Sequence, residues 1–197
     1  MVPEPRVAAL LLAAGRGTRF GPSPKLLADL GGEPLVRHAA RAALASRASP
    51  LLVVLGHAED AVREALDGLA FEAVPNPDYA DGLATSLKAG FGALPPDAEA
   101  AIVLLGDMPG VCAGLIDRLV AAYGQTRPVA VVPLVGGRWA NPVLLDRRLA
   151  PDIARLEGDR GAAPLLRGRA DVLQLAVDDP GALVDVDTAE ALAGLAR

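Results

Sequence analysis

Three groups of residues in this chain have types and spacings suited to chemistry. The first is Leu11-Leu12-Ala13-Ala14-Gly15-Arg16-Gly17-Thr18-Arg19-Phe20-Gly21, with Lys25 just beyond. Glycines let backbone N–H groups crowd an anion with no Cβ in the way, and Arg16, Arg19 and Lys25 supply the cations to neutralise it. The second is Asp107 in Gly106-Asp107-Met108-Pro109, directly after an apolar run. An acid at the carboxyl end of a central strand beside a phosphate loop is suited to Mg²⁺. The third is Asp185-Val186-Asp187-Thr188-Ala189-Glu190. Read as a strand end, it puts Asp185 and Asp187 on one face and Val186 on the other. Read as a helix start, it lets Asp187 or Thr188 act as the cap.

The glycine loop is neither of the two best-known phosphate loops. A P-loop needs G-x-x-x-x-G-K-S/T, which is absent. A dinucleotide fingerprint needs G-x-G-x-x-G opening a helix. Here Gly21 comes one residue late, Pro22 and Pro24 disfavour a regular helix, and no acid stands at 37–48 to hold a ribose. A long cationic loop closing over a triphosphate fits better. In the segment from Asn76 to Leu87, Asn76 offers an amide to a base edge, Gly82 lets the backbone come close, and Ser86 points from the first turn of a helix. His57, just after a strand, could line the same pocket. Cys112 reads as a buried residue on an apolar helix face, and neither histidine has a Ser or Cys partner at motif spacing, so nucleophilic catalysis finds little support.

These residues need a scaffold. Apolar runs at 7–12, 51–55, 69–74, 100–105, 128–132, 172–177 and 183–186 read as strands. Helical patterns run over 34–46, 59–66, 83–91, 111–123, 146–156 and from about 188, with a short one ending at 167. Residues 25–30 and 139–145 read as extended. The alternation implies an α/β fold: a single Rossmann-like domain over 1–197, with a mainly parallel sheet and helices on both faces. Residues 136–168 depart from strict alternation and are the natural candidate for a substrate-covering insertion.

Composition narrows the function classes. The chain has 197 residues, 52% hydrophobic and 22% charged, which excludes a disordered chain. A formal net charge of −5 argues against nucleic acid as a partner. No apolar run approaches the ~20 residues of a membrane span, and no secretory signal precedes the first strand. The single cysteine permits no internal disulfide and agrees with a reducing compartment, so the expected location is cytoplasmic.

The string L-A-A-G-x-G-x-R-F-G-x-x-x-K resembles the signature of the MobA-like NTP transferases, and its Ala13-Ala14-Gly15 form is similar to the branch that uses CTP, the molybdenum-cofactor cytidylyltransferases. Pro22-Ser23-Pro24 is one residue longer than the family's usual spacer. The resemblance implies a fold like that of nucleotide-diphospho-sugar transferases. It also implies nucleotide contacts from Leu12, Ala13, Ala14, Gly15, Gly17, Arg19, Lys25, Asn76, Gly82 and Ser86, with Arg19, Lys25 and Asp107 catalytic. Gly106-Asp107-Met108-Pro109 resembles the family's metal motif. The closing D-I/V-D-T-P-E-D motif implies Asp187 as the second Mg²⁺ ligand, with Asp185 the alternative, although Ala189 and Ala191 replace its proline and last acid. If both acids hold one ion, their oxygens must converge within about 4–5 Å. Asn141-Pro142 and Gly158-Asp159-Arg160-Gly161 resemble acceptor-side strings, implying acceptor contacts from Asn141, Gly158 and Asp159. Cytidylyltransferases often carry histidine where Asn141 stands.

The activity so implied is CMP transfer from CTP to a phosphate-bearing acceptor, molybdenum-loaded molybdopterin, with pyrophosphate released and a molybdenum enzyme or its chaperone as partner. Arg138 and Arg160 could meet an acceptor phosphate. Two rival readings stay open: an NAD(P)H-dependent oxidoreductase using the same loop, and a non-catalytic molybdenum-cofactor carrier.

Overall fold

The computed structural model describes residues 4–18, 20, 21 and 23–195. Its central strand is β1 (Val7–Ala13), buried at every position. A strand covered on both faces can be apolar throughout, which is why this run does not alternate. Side chains nevertheless leave it alternately. Val7, Ala9, Leu11 and Ala13 enter one core, and Ala8, Leu10 and Leu12 enter the other.

Two short strands, β2 (Asp29–Leu30) and β3 (Glu33–Pro34), form a separate hairpin turned by Gly31 and Gly32. The chain then runs through α1 (Leu35–Leu44), β4 (Leu51–Leu55), α2 (Glu59–Ala65), β5 (Glu72–Pro75), α3 (Leu83–Gly92), β6 (Ala100–Leu105) and α4 (Ala113–Thr126). It continues through β7 (Ala130–Val135), β8 (Arg138–Trp139), β9 (Val143–Asp146), α5 (Ala150–Ile153), α6 (Ala163–Leu166), β10 (Val172–Ala176) and α7 (Ala189–Leu195).

The main sheet has the order β10-β7-β9-β6-β1-β4-β5, with β8 paired to β7. Pairing is parallel from β6 through β1 and β4 to β5, and between β10 and β7. Strand β9 lies antiparallel between β6 and β7. One core is filled by α1, α2 and α4 through Ala39, Val62 and Ile116. The other is filled by α3, α5 and α6 through Leu87, Ile153 and Leu166. Helix α3 lies so close to β1 that a Cβ at Gly90 would sit 2.4 Å from the Leu10 side chain. Among the described residues no helix is long and apolar enough to cross a membrane.

The architecture is the α/β fold expected, and several local readings change. Residues 183–186 are not a strand. Pro180–Leu183 forms a 3-10 turn capped by the Asp179 side chain on Gly181 N–H, and Val186 gives its N–H to Asp107 O at 2.9 Å instead of to a sheet neighbour. Lys25–Leu27 is also a 3-10 turn where an extended piece was expected. Strand β7 continues beyond residue 132 because Pro133, lacking an N–H, still offers a carbonyl that accepts from Ala140 N–H. The 136–168 region is divided in use. Its first part turns at Gly136-Gly137 and supplies β8 and β9 to the sheet, and residues 158–159 reach over the start of α3. Cys112 is exposed and precedes α4, contrary to the buried helical position expected of it.

Candidate active site

A cleft of about 520 Å³ opens at the carboxyl ends of β1 and β6. This is where an open α/β sheet binds its ligands, because the loops leaving parallel strands diverge there. Its floor is Leu12, Ala14, Gly15, Arg16, Gly17 and Thr18 leaving β1, and Leu105, Gly106 and Asp107 leaving β6. The two exits are joined by Gly106 N–H to Leu12 O at 3.1 Å. Gly15 has open space around the position of an absent Cβ. Gly17 is required for two reasons. Its φ is +56°, and a Cβ would meet the Lys25 Cβ at 2.9 Å, so the loop folds back onto the lysine stem. The 3-10 turn that starts at Lys25 is anchored by buried Leu26, which packs beneath Gly106.

At this end of the cleft the Lys25 ammonium meets two acids. The Lys25 ammonium donates to Asp107 Oδ2 at 2.5 Å and to Asp187 Oδ1 at 3.2 Å. The lysine side chain is only 11% exposed, so these contacts are shielded from bulk water. Among the described residues, nothing hydrogen-bonds to the buried Asp107 Oδ1. Such an orphaned carboxylate oxygen is costly unless a cation or donor meets it. Asp187 comes from far along the chain, and backbone contacts bring it in. A Cβ on Gly110 would lie 2.8 Å from the Gly181 Cα, and one on Gly181 would lie 2.3 Å from Gly110 O. These glycines let the C-terminal segment lie flat on the loop after β6, and the bond from Val186 N–H to Asp107 O secures it. Asp187 lines the cleft, whereas Asp185 is exposed and outside it; the shared face expected of the two acids depended on a strand that does not form. Thr188 serves as the cap of α7, accepting from Ala191 N–H at 3.2 Å.

The other end of the cleft is built by the Asn76 segment. Asn76 is buried, and its amide is committed. It donates to Thr85 Oγ1 and Ser86 Oγ and accepts from Asp78 N–H. It therefore shapes the turn and does not line the cleft, so the base-edge contact expected of it is not available from this geometry. Ser86 and Gly82 do line it. Gly82 has φ +107°, and a Cβ there would be 2.4 Å from the Gly158 carbonyl carbon. Gly158 O accepts from Ala84 N–H at 3.0 Å, which seats the Gly158-Asp159 loop on α3 and brings Asp159 to the cleft wall. Asn141 gives its backbone N–H to Ala182 O and does not line the cleft; it braces the C-terminal segment. Arg138 and Arg160 are exposed. Arg19 lies outside the described residues. Ala13 is buried behind the loop. His57 stands behind the cleft, its N–H on Ala14 O. Sequence reasoning missed Tyr79, Ala80 and Leu83 as lining residues, although all three lie within the segment it singled out.

Two aspartates suit a hard cation with oxygen ligands, and Mg²⁺ is commonly held by one or two carboxylates plus substrate phosphates. The orphaned Asp107 oxygen fits that use. Among the described residues no group of three or more His, Cys, Asp or Glu side chains gathers to form a complete protein cage.

The nicotine blue oxidoreductase of Paenarthrobacter nicotinovorans is 31% identical over 193 residues, 94% of each chain. The 2-C-methyl-D-erythritol 4-phosphate cytidylyltransferase of Streptomyces coelicolor is 41% identical over 141 residues, 66% of this chain and half of that protein. The bifunctional protein GlmU of Kineococcus radiotolerans is 40% identical over 128 residues, and the match spans only about a quarter of GlmU's length. Among solved structures, Rv0371c from Mycobacterium tuberculosis H37Rv superposes with a TM-score of 0.85 at 29% identity, covering 98% of this chain and 99% of that one. The same protein has been solved in complex with manganese (TM-score 0.79, 28% identity, 96% of this chain and 97% of that one). Molybdopterin-guanine dinucleotide biosynthesis protein A from Archaeoglobus fulgidus shares the fold, with a TM-score of 0.74 at 16% identity over 95% of this chain and 96% of that one. The sheet is that of the nucleotide-diphospho-sugar transferase fold. The MobA-like NTP transferase domain model matches residues 9–176, and the chain belongs to that family of nucleotidyltransferases.

Proposed function

We propose that the chain transfers CMP from CTP to a phosphate-bearing acceptor, molybdenum-loaded molybdopterin, and releases pyrophosphate. The observation that carries this reading is the Lys25 ammonium held between Asp107 and Asp187 at the mouth of a glycine loop. That arrangement suits a triphosphate with a divalent cation and has no evident use in hydride transfer. Asp107 and Asp187 would hold Mg²⁺, which when bound neutralises charge on the transferring phosphate. Lys25 and Arg16 supply cations from the protein itself, and Gly15 and Gly17 keep side chains out of the phosphate path. The acceptor needs no general base, since a phosphate monoester with second pKa near ~6 is already mostly a dianion at neutral pH. The protein's task is then to position two anions in line and offset their repulsion. Asp159, which lines the cleft, would meet the acceptor, on a loop that Gly158 seats against α3 while Asn141 braces the C-terminal segment from outside the cleft. The preference for CTP is supported by Ala13-Ala14-Gly15 and by the similarity to the Streptomyces coelicolor cytidylyltransferase. A molybdenum enzyme or its chaperone would receive the product.

One observation favours a second reading. The nicotine blue oxidoreductase matches over nearly its full length, which supports an oxidoreductase reaction in the same cleft. Pyrophosphate release separates the two. With Mg²⁺ and a panel of acceptors, CTP and molybdopterin should yield pyrophosphate and the other nucleotides little. Preference for GTP would reverse the nucleotide assignment. Oxidation of NAD(P)H with no pyrophosphate from any nucleotide would replace the transferase reading.

A further inference from the structure

The transfer chemistry described above makes no use of Tyr79. Among the described residues lining the cleft it is the only aromatic one. Its place is set from three sides. Beneath it is Gly56, at the end of β4, where a Cβ would lie 2.6 Å from the Tyr79 Cβ, 2.8 Å from its Cγ and 2.9 Å from the Ala14 Cβ. The φ of Gly56 is not in the left-handed region, so this glycine provides room and not backbone freedom. Beside it is the His57 ring, 6.0 Å away between centroids and tilted by 50°. The turn carrying it is fixed by the Asn76 amide on Thr85 and Ser86, and by Thr85 Oγ1 on Asp78 O. A ring held this firmly at a cleft wall loses little freedom when a ligand covers it.

Position in the sheet says what the ligand part would be. Lys25, Asp107 and Asp187 gather over β6, on one side of β1. Tyr79 sits over Gly56 at the end of β4, on the other side. A nucleotide whose phosphates meet the lysine and the acids must extend its base across the Ala14–Gly15 exit toward β4. The wall it reaches is the Tyr79 ring, with Gly82 and Ser86 nearby. Every base has a flat π face, and stacking on an aromatic side chain needs no hydrogen-bond match. We propose that Tyr79 is the residue on which the nucleobase stacks, and that Gly56 is a positioning residue that sets the depth of that ring. This rests on the nucleotide-binding reading above and adds the contact that makes binding depend on the base.

The test is calorimetry in the presence of Mg²⁺ with two probes, CTP and inorganic tripolyphosphate, which has no base. Wild type, Tyr79→Ala, Tyr79→Phe and Gly56→Ala are compared, each checked for cooperative unfolding. Tyr79→Ala should weaken CTP by about tenfold to a hundredfold, the range for one lost stacking contact, and leave tripolyphosphate unchanged. Tyr79→Phe should keep wild-type CTP affinity, since the ring face and not the hydroxyl makes the contact. Gly56→Ala should behave like Tyr79→Ala; if it does not fold, the two tyrosine variants still decide. Equal weakening of CTP and tripolyphosphate by Tyr79→Ala would reduce the tyrosine to scaffold and overturn the proposal. So would a phenylalanine variant as weak as the alanine one. A wild type that prefers CTP to tripolyphosphate, with Tyr79→Ala keeping that preference, would overturn the role of Tyr79 alone. A wild type with no such preference would overturn the nucleotide reading itself.

Discussion

Replacing Lys25 by methionine tests the centre of the site, because it removes the charge and keeps most of the stem. The stem matters, since it fills the space that Gly17 leaves open. The ammonium lies 2.5 Å from Asp107 Oδ2 and 3.2 Å from Asp187 Oδ1, with the lysine side chain 11% exposed and the Asp187 side chain 38% exposed. Breaking a fully buried pair costs about 3–5 kcal/mol, but solvent reaches Asp187, so about 1–2 kcal/mol of stability is the reasonable share here. For a domain of this size that lowers Tm by roughly 2–8 °C. Catalysis should fall further. A lost cation at developing phosphate charge costs on the order of 3 kcal/mol of barrier, or about a hundredfold or more in turnover. The two effects separate in the double variant Lys25→Met/Asp107→Asn. Removing one of two facing carboxylates should restore much of the lost Tm and none of the turnover. Thermal unfolding and pyrophosphate release read the two quantities. Wild-type turnover in a folded Lys25→Met protein would refute the catalytic role, and failure of Asp107→Asn to recover any Tm would refute the mutual repulsion of the acids.

The remaining expectations follow from other parts of the same geometry. Asp107→Asn and Asp187→Asn should each lower turnover strongly, and the double variant should lose little more than the worse single one, since residues serving one unit are not additive; fully additive losses in pyrophosphate release would contradict a shared metal site. Gly82→Ala should destabilise the fold by about 1–3 kcal/mol in urea unfolding, because an alanine there has an unfavourable φ and drives into the Gly158 backbone; an unchanged midpoint would show that the 158–159 loop yields freely. Burial raises the pKa of Asp146, but the Arg148 side chain and backbone N–H, with the Tyr123 hydroxyl, outweigh it and hold the carboxyl below the usual range. A depressed carboxylate contributes stability that is complete above about pH 4 and is lost as pH falls through the folded pKa. Asp146→Asn should therefore be less stable than wild type at neutral pH and nearly level with it in acid; a constant difference across that pH range would show that the carboxylate charge is not the cause.

How much of this was legible in the sequence depended on whether the cause was local. Strands β1, β4 and β6 are apolar at every position because both their faces are covered, and that shows in the residues alone. So does the glycine loop, where Gly15 and Gly17 precede Lys25 at a spacing that allows the chain to fold back. Asp107 was legible because it stands two residues past the end of β6. The segment carrying Asp187 was misread for a physical reason. Leu183, Val184 and Val186 have the composition of a strand, and alternation would then set Asp185 and Asp187 side by side. What decides the matter is the close contact between Gly110 and Gly181, which has no trace in local periodicity. It holds an irregular segment against the loop after β6, gives the Val186 N–H to Asp107 O, and leaves Asp185 in solvent while Asp187 turns to the lysine. Asn76 was misjudged in a similar way. A polar side chain in a nucleotide-like motif invites a ligand, but burial makes its amide satisfy Thr85, Ser86 and Asp78 first. The ring that this turn presents, Tyr79, then depends on a glycine in another strand. Where a site residue is placed by its own element, its type and spacing reveal it; where it is placed by two glycines meeting or by room beneath a ring, only the folded chain does.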